Sequence, residues 1–228
     1  MVKRKLFFLL LLSIQFIITK AQTSLGVEAG VSSSYLNTNI SNRASTTINN
    51  SVGYTFNIPF QYRINKWLYL ETDPGITQKN YFINRTDSLA GIYEKFRNAY
   101  LQIPLAVKVV YGKRLKVFTD AGVYGGYWLS SRIMGKIPNI FGVDNSGGIQ
   151  DVSYNEKYQF NSQTDNRVEM GWVAGVGAQY HLTTKYILIV SCRYYQSLTD
   201  QQKEDAINQV PQYNQTFTFS FGGMLSFK

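Results

Sequence analysis

From residue 25 to the C-terminal end, apolar and polar positions alternate with period two in block after block. Over 25–35, Leu25, Val27, Ala29, Val31 and Tyr35 alternate with Gly26, Glu28, Gly30, Ser32 and Ser34. The same pattern runs through 52–63, 101–111, 168–180 and 217–227, and more weakly through 67–79, 115–129 and 185–196. Successive side chains of a strand point to opposite faces, so each block predicts a strand with one oily and one small or polar face. Eight strands are expected.

The spacing between blocks predicts how they connect. Asn65-Lys66, Gly112-Lys113-Arg114 and Thr183-Thr184 are short hairpin turns, whereas 38–51, 80–97, 130–166 and 198–212 are long and polar. Short and long connections alternate strictly, so an up-and-down sheet would have its long loops at one end and both termini at the other. The expected fold is all-β: an eight-stranded antiparallel up-and-down transmembrane barrel over 22–228, with outer loops and periplasmic turns.

A soluble barrel alternates too, but its water-facing side carries many charges. Here the polar faces are built from Gly, Ser, Thr, Asn and Gln with only a few charges each. The oily faces end in Tyr35, Tyr54, Tyr62, Trp67, Tyr111, Tyr127, Trp172, Tyr180, Tyr186 and Tyr194. Such rings collect at the bilayer interface, where an apolar body meets a polar tip. Strands of this length also suffice for a tilted crossing, which needs about 9–11 residues.

Composition and charge narrow the picture. The 228 residues hold 16% charged side chains, against about 25% in soluble domains, together with 17 Tyr, 14 Phe, one Cys and one His. A disulfide framework is excluded, and a Cys/His zinc site nearly so, by one Cys and one His. Residues 1–21 read MVKRKLFFLLLLSIQFIITKA: a basic start, an apolar run and small residues at a cut. That order predicts a cleaved signal peptide, and the run is shorter than the ~20 residues of a spanning helix. No Cys follows the cut, which speaks against a lipid-anchored protein. Removing four basic residues lowers the net charge from +9 to +5, and an exported protein is not expected to meet nucleic acid. The lone Cys192 fits an oxidising compartment.

Several strings resemble one family. Tyr100-Leu101-Gln102-Ile103-Pro104-Leu105-Ala106-Val107-Lys108 resembles the YLEIPLLLK strand of the porin-family, PorT-like outer-membrane barrels of Bacteroidota. LYLETDPGITQKN over 68–80 resembles that family's third strand, and Gly171-Trp172-Val173-Ala174-Gly175-Val176-Gly177 its Gly-rich sixth. The closing Phe217, Phe219, Phe221, Leu225 and Phe227 resemble the aromatic last strand read by the barrel-assembly machinery, with Lys228 as a departure. The resemblance implies a bacterial outer-membrane protein with periplasmic termini. The family includes an accessory barrel of the type IX secretion and gliding system, which no residue here singles out.

Alternation places Glu28, Arg63, Glu71, Asp73, Lys79, Lys108, Lys116, Asp120, Glu169 and Arg193 inside the barrel. An eight-stranded barrel is filled by side chains, so five acidic and five basic groups are expected to pair there and close the lumen. Gly171, Gly175 and Gly177 are expected to leave room for large residues such as Tyr124 and Trp128. Catalytic readings are weak. His181 sits beside a periplasmic turn, and Glu71 and Asp73 share a face with Arg63. Asp144-Asn145-Ser146-Gly147-Gly148 with Asp151 reads as a turn cluster rather than a Ca²⁺ site, and Asp87-Ser88-Leu89 is too short to establish an O-glycosylation acceptor. No cofactor or metal is expected.

The expected function is a non-enzymatic, closed-lumen structural or interaction barrel. Its partners would be outer-membrane lipid, the assembly machinery, and an envelope or surface protein met by the outer loops, chiefly 130–166 with Tyr154, Tyr158 and Phe160. The alternative is a small passive channel or an accessory barrel of secretion machinery, with an enzyme third.

Overall fold

A computed structural model describes residues 23–38, 45–87, 90–143, 149–203 and 210–227. The expected signal peptide lies outside these residues, as do 144–148, Ser88, Leu89 and Lys228. The strands are β1 (Thr23–Thr38), β2 (Thr46–Asn57), β3 (Phe60–Arg63), β4 (Leu68–Thr72), β5 (Gly75–Gln78) and β6 (Tyr81–Arg85). They continue with β7 (Tyr93–Gly112), β8 (Leu115–Val143), β9 (Ile149–Lys157), β10 (Val168–His181), β11 (Tyr186–Ser197) and β12 (Gln212–Phe227).

The barrel wall consists of eight staves. β2 and β3 form one stave, and β4, β5 and β6 form another. Pro59 and Pro74 interrupt them, because a proline has no N–H to donate to the ladder. Pairing survives the interruptions: Ile58 N–H donates to the Pro74 carbonyl and Gly26 N–H to that of Pro59, both at 2.9 Å. Neighbouring staves are antiparallel throughout. β1 closes the ring, pairing with β12 from Thr23↔Phe227 to Thr38↔Gln212 and with β2 and β3 on its other side.

The turns have the chemistry their sequences indicate. Asn65 Oδ1 accepts from the N–H groups of Trp67 and Leu68, and Thr183 Oγ1 from those of Lys185 and Tyr186. Gly112 has φ +126°, a conformation that favours a residue without Cβ.

At the outer end the strands run well past the expected boundaries. β6 and the start of β7 occupy much of 80–97, and β8 and β9 occupy much of 130–166. β10 begins at Val168, opposite Tyr127; beyond that point β9 takes over the pairing with β8, from Arg132↔Lys157. These stretches lie beyond the outward apolar belt, and their inner sides bury only a few residues, such as Tyr81 and Ser131. No oily face marks them in the sequence.

The exposed apolar side chains form an outward belt, including Val27, Tyr54, Leu105, Val123, Val176 and Phe219. Aromatics bound it at both ends. Trp172 and Tyr180 are eight residues apart on β10, which at about 3.3 Å per residue and a tilt of about 40° is roughly 20 Å along the membrane normal. Phe217, Phe219, Phe221, Leu225 and Phe227 all face outward on β12. Tyr35 and Tyr62 are half-buried, whereas Trp67, Tyr111 and Tyr186 are exposed.

Candidate functional site in the barrel lumen

The inward faces stack into layers along the barrel axis. In the outermost charged layer Lys79 forms an ion pair with Glu169. Tyr124 OH donates to Glu169 Oε1 at 2.6 Å and Asn214 Nδ2 to Oε2 at 2.6 Å. Gln201 Nε2 links Tyr100 OH and Asn214 Oδ1 at 2.9 and 3.0 Å. Lys79 is 0% and Tyr100 1% exposed, so this layer spans the lumen. Lys79 sits at a strand break that asparagines repair: Asn98 Nδ2 donates to its carbonyl, and Asn80 Oδ1 accepts from Asn98 N–H.

The next layer centres on Arg193, whose guanidinium meets Glu71, Asp73 and Asp120 together. Lys108 Nζ reaches the other oxygen of Glu71 at 2.7 Å and lies 3.5 Å from the centre of the Phe118 ring. Glu28 accepts from Ser191 Oγ at 3.0 Å. The planar fork of Arg suits three carboxylates at once, which a point-charge ammonium does not. Gly175 makes room for it: a Cβ there would lie 2.5 Å from Arg193 Cγ and 2.9 Å from Asp120 Oδ1. The expected occupants of the glycine spaces are thus corrected. Tyr124 fills beside Gly171, but Arg193 fills beside Gly175 and Phe118 beside Gly177; Trp128 stacks between Tyr100 and Tyr158 nearer the outer mouth.

Below the ion pairs lies an apolar plug of Tyr69, Val110, Phe118, Ile187, Ile189 and Met224. Its members sit on the faces expected to be polar. Except for Ile187 and Ile189, which adjoin on one face of β11, each is a single oily residue on a face judged by its neighbours, and only the ring closure brings the six together.

The ten charges expected inside separate into two groups. Glu28, Glu71, Asp73, Lys79, Lys108, Asp120, Glu169 and Arg193 are buried in the two layers. Arg63 and Lys116 are half-exposed and lie with His181 around a cavity at the periplasmic mouth. The even split is therefore corrected: the buried set has five carboxylates and three cations, and the Arg193 layer four carboxylates and two cations. Alternation assigns a face, but not a depth along the axis. Glu71 and Asp73 are both engaged by Arg193 rather than by Arg63.

At the outer end, Tyr158 and Phe160 pack on Trp128 and on each other. Tyr154 OH donates to Glu94 at 2.7 Å, and partial burial together with this bond pushes the hydroxyl up to about 12. These aromatics, expected to face a partner, tie the outer extension to the barrel. Among the described residues no cluster of His, Cys, Asp or Glu is arranged to hold a metal ion.

The exposed apolar belt and the closed ring agree with the sequence comparison. The family model "Outer membrane protein beta-barrel domain" matches residues 20–202. The chain belongs to this outer-membrane β-barrel family. Its place is the bacterial outer membrane, and its exposed apolar belt is the lipid face. No curated protein matches this barrel by sequence. Solved outer-membrane proteins are similar to it at low identity. Neisserial surface protein A is 14% identical over 89% of this chain and 97% of its own, with a TM-score of 0.43. OprG from Pseudomonas aeruginosa is 11% identical over 91% and 95%, TM-score 0.49. The outer membrane protease OmpT from Escherichia coli is 11% identical over 91% and 96%, TM-score 0.44.

Proposed function

We propose that this outer-membrane barrel is a non-enzymatic structural or interaction protein of the Bacteroidota porin-family, PorT-like kind, with a lumen closed to ions. The observation that carries the reading is the filling of the lumen: two buried ion-pair layers above an apolar cluster. Cavities of about 230 Å³ at the outer mouth and about 240 Å³ at the periplasmic mouth lie on opposite sides of these layers. An ion crossing between them would have to shed its water and displace paired charges, at a cost of several kcal/mol. The outer extension supports an interaction role. Among the described residues β9 is the last strand of the sheet, pairing with β8 alone, and Tyr93, Ile137 and Val152 are exposed on the outer extension. A non-enzymatic role is supported by the position of His181 at the periplasmic end and by the commitment of Glu71 and Asp73 to Arg193. The test is conductance of the purified, folded protein in planar bilayers. Silence is expected, and steady single-channel openings would sink the closed-lumen reading.

A further inference from the structure

The periplasmic mouth has a one-sided chemistry. Its cavity, about 240 Å³, is floored by Tyr69 and Ile187 of the apolar plug and walled by Gln61, Arg63, Lys116 and His181, with hydroxyls of Ser24, Thr184 and Ser226 at its edge. No Asp or Glu is among the described residues that line it. Gln61 is 2% exposed; its Oε1 accepts from Gln179 Nε2 at 3.2 Å, which leaves its own Nε2 as a buried donor with no partner among the described residues. His181 Nε2 is likewise buried without a partner. Arg63 donates Nε–H to the Asn65 carbonyl at 3.0 Å, which fixes its stem at the rim.

A desolvated donor left without an acceptor is costly. A cavity that gathers such a donor, an imidazole and an ammonium, with no Asp or Glu among the described residues that line it, is complementary to a compact anion with several acceptor oxygens. We propose that the periplasmic mouth binds an oxyanion of the phosphate class, held by Lys116 through charge, by Gln61 Nε2 through a buried hydrogen bond, and by His181 at the side. Phosphate fits for three reasons. Its oxygens accept from several directions, its charge complements the Lys116 ammonium, and the volume exceeds that of one phosphate group, leaving room for water or a short ester. The phosphate is either free in the periplasm or carried on an inner-leaflet lipid headgroup reaching over the rim.

The experiment titrates inorganic phosphate calorimetrically into the folded barrel in uncharged detergent micelles. Saturable binding at millimolar phosphate or below is expected. Lys116→Met and Gln61→Leu should each weaken it about tenfold, whereas Lys136→Gln, at an exposed ion pair with Asp151 on the outer extension, should leave it unchanged. Heat-modifiable migration checks that each variant is folded, and Lys116→Gln provides a second, polar replacement. Absence of saturable binding would overturn the proposal. So would an equal loss in Lys136→Gln, which would mean that net charge alone attracts the anion. Repeating the titration in nanodiscs identifies the source: unchanged binding in zwitterionic and anionic discs supports a free oxyanion, and competition by anionic lipid supports a headgroup. The site stands or falls independently of conductance.

Discussion

Replacing Arg193 by Met keeps much of the side-chain volume and removes the guanidinium that meets Glu71, Asp73 and Asp120. Four carboxylates, with Glu28, would then share Lys108 alone. Arg193 is 4% exposed, and deleting one partner of a buried ion pair costs about 3–5 kcal/mol, because the remaining charge stays buried without compensation. The expected loss is thus at least about 3 kcal/mol. Urea unfolding of the barrel in lipid vesicles, followed by its heat-modifiable band and extrapolated linearly, measures this. Adding Glu71→Gln and Asp73→Asn to Arg193→Met should restore most of the stability, since neutral replacement of a buried ionic cluster is often close to neutral overall. Glu28→Gln alone should change stability little, because it removes one carboxylate from a layer with two in excess. A loss below about 1 kcal/mol in Arg193→Met would refute the reasoning, and so would a triple variant no more stable than the single one.

Gly175→Val should cost about 1–3 kcal/mol through overpacking, because its Cβ would meet Arg193 and Asp120. Gly125→Ala, whose Cβ would meet nothing within 4 Å, should stay within about 0.5 kcal/mol in the same urea assay. Deleting Phe227 and Lys228 removes the Phe227↔Thr23 end of the closing seam and a lipid-facing ring worth about 1.5–3 kcal/mol. Most of the truncated protein should fail to reach the heat-modifiable state in membranes, and normal assembly would contradict the seam.

The membrane-crossing part of the fold is legible because the bilayer imposes one rule on every stave: oily outside, polar or small inside. Val27 and Glu28, or Trp172 and Gly171, are told apart by position alone. Where that rule stops, legibility stops with it. Glu94 and Lys95 belong to β7, and Asn155 and Glu156 to β9, as surely as Val107 does to β7, yet without an oily face they read as loop. In the lumen, alternation finds the charged residues and not their partners. Lys79 meets Glu169 across a sequence separation of 90 residues and Arg193 meets Asp73 across 120, and only closure of the ring fixes such pairs. Tyr69 and Val110, each beside Lys108 or Glu71 in the pattern, are plug rather than wall for the same reason.

Depth along the axis gives the charge pattern a direction. The mid-lumen layer has two more carboxylates than cations, while Arg63 and Lys116 stand below the apolar plug at the periplasmic mouth. An anion attracted to that mouth would reach Tyr69 and Ile187 and, beyond them, a surplus of negative charge. A cation from the outer side would meet Lys79 before any unengaged carboxylate oxygen, such as Glu28 Oε1 or Asp73 Oδ1. Each end thus discourages the ion that the far layer would welcome. On the closed-lumen proposal the periplasmic cavity would be a terminus, suited to holding an anion rather than passing one. This is why a phosphate site at the mouth and a silent lumen are compatible, and why a barrel that both bound phosphate there and conducted it would require the Arg193 layer to open.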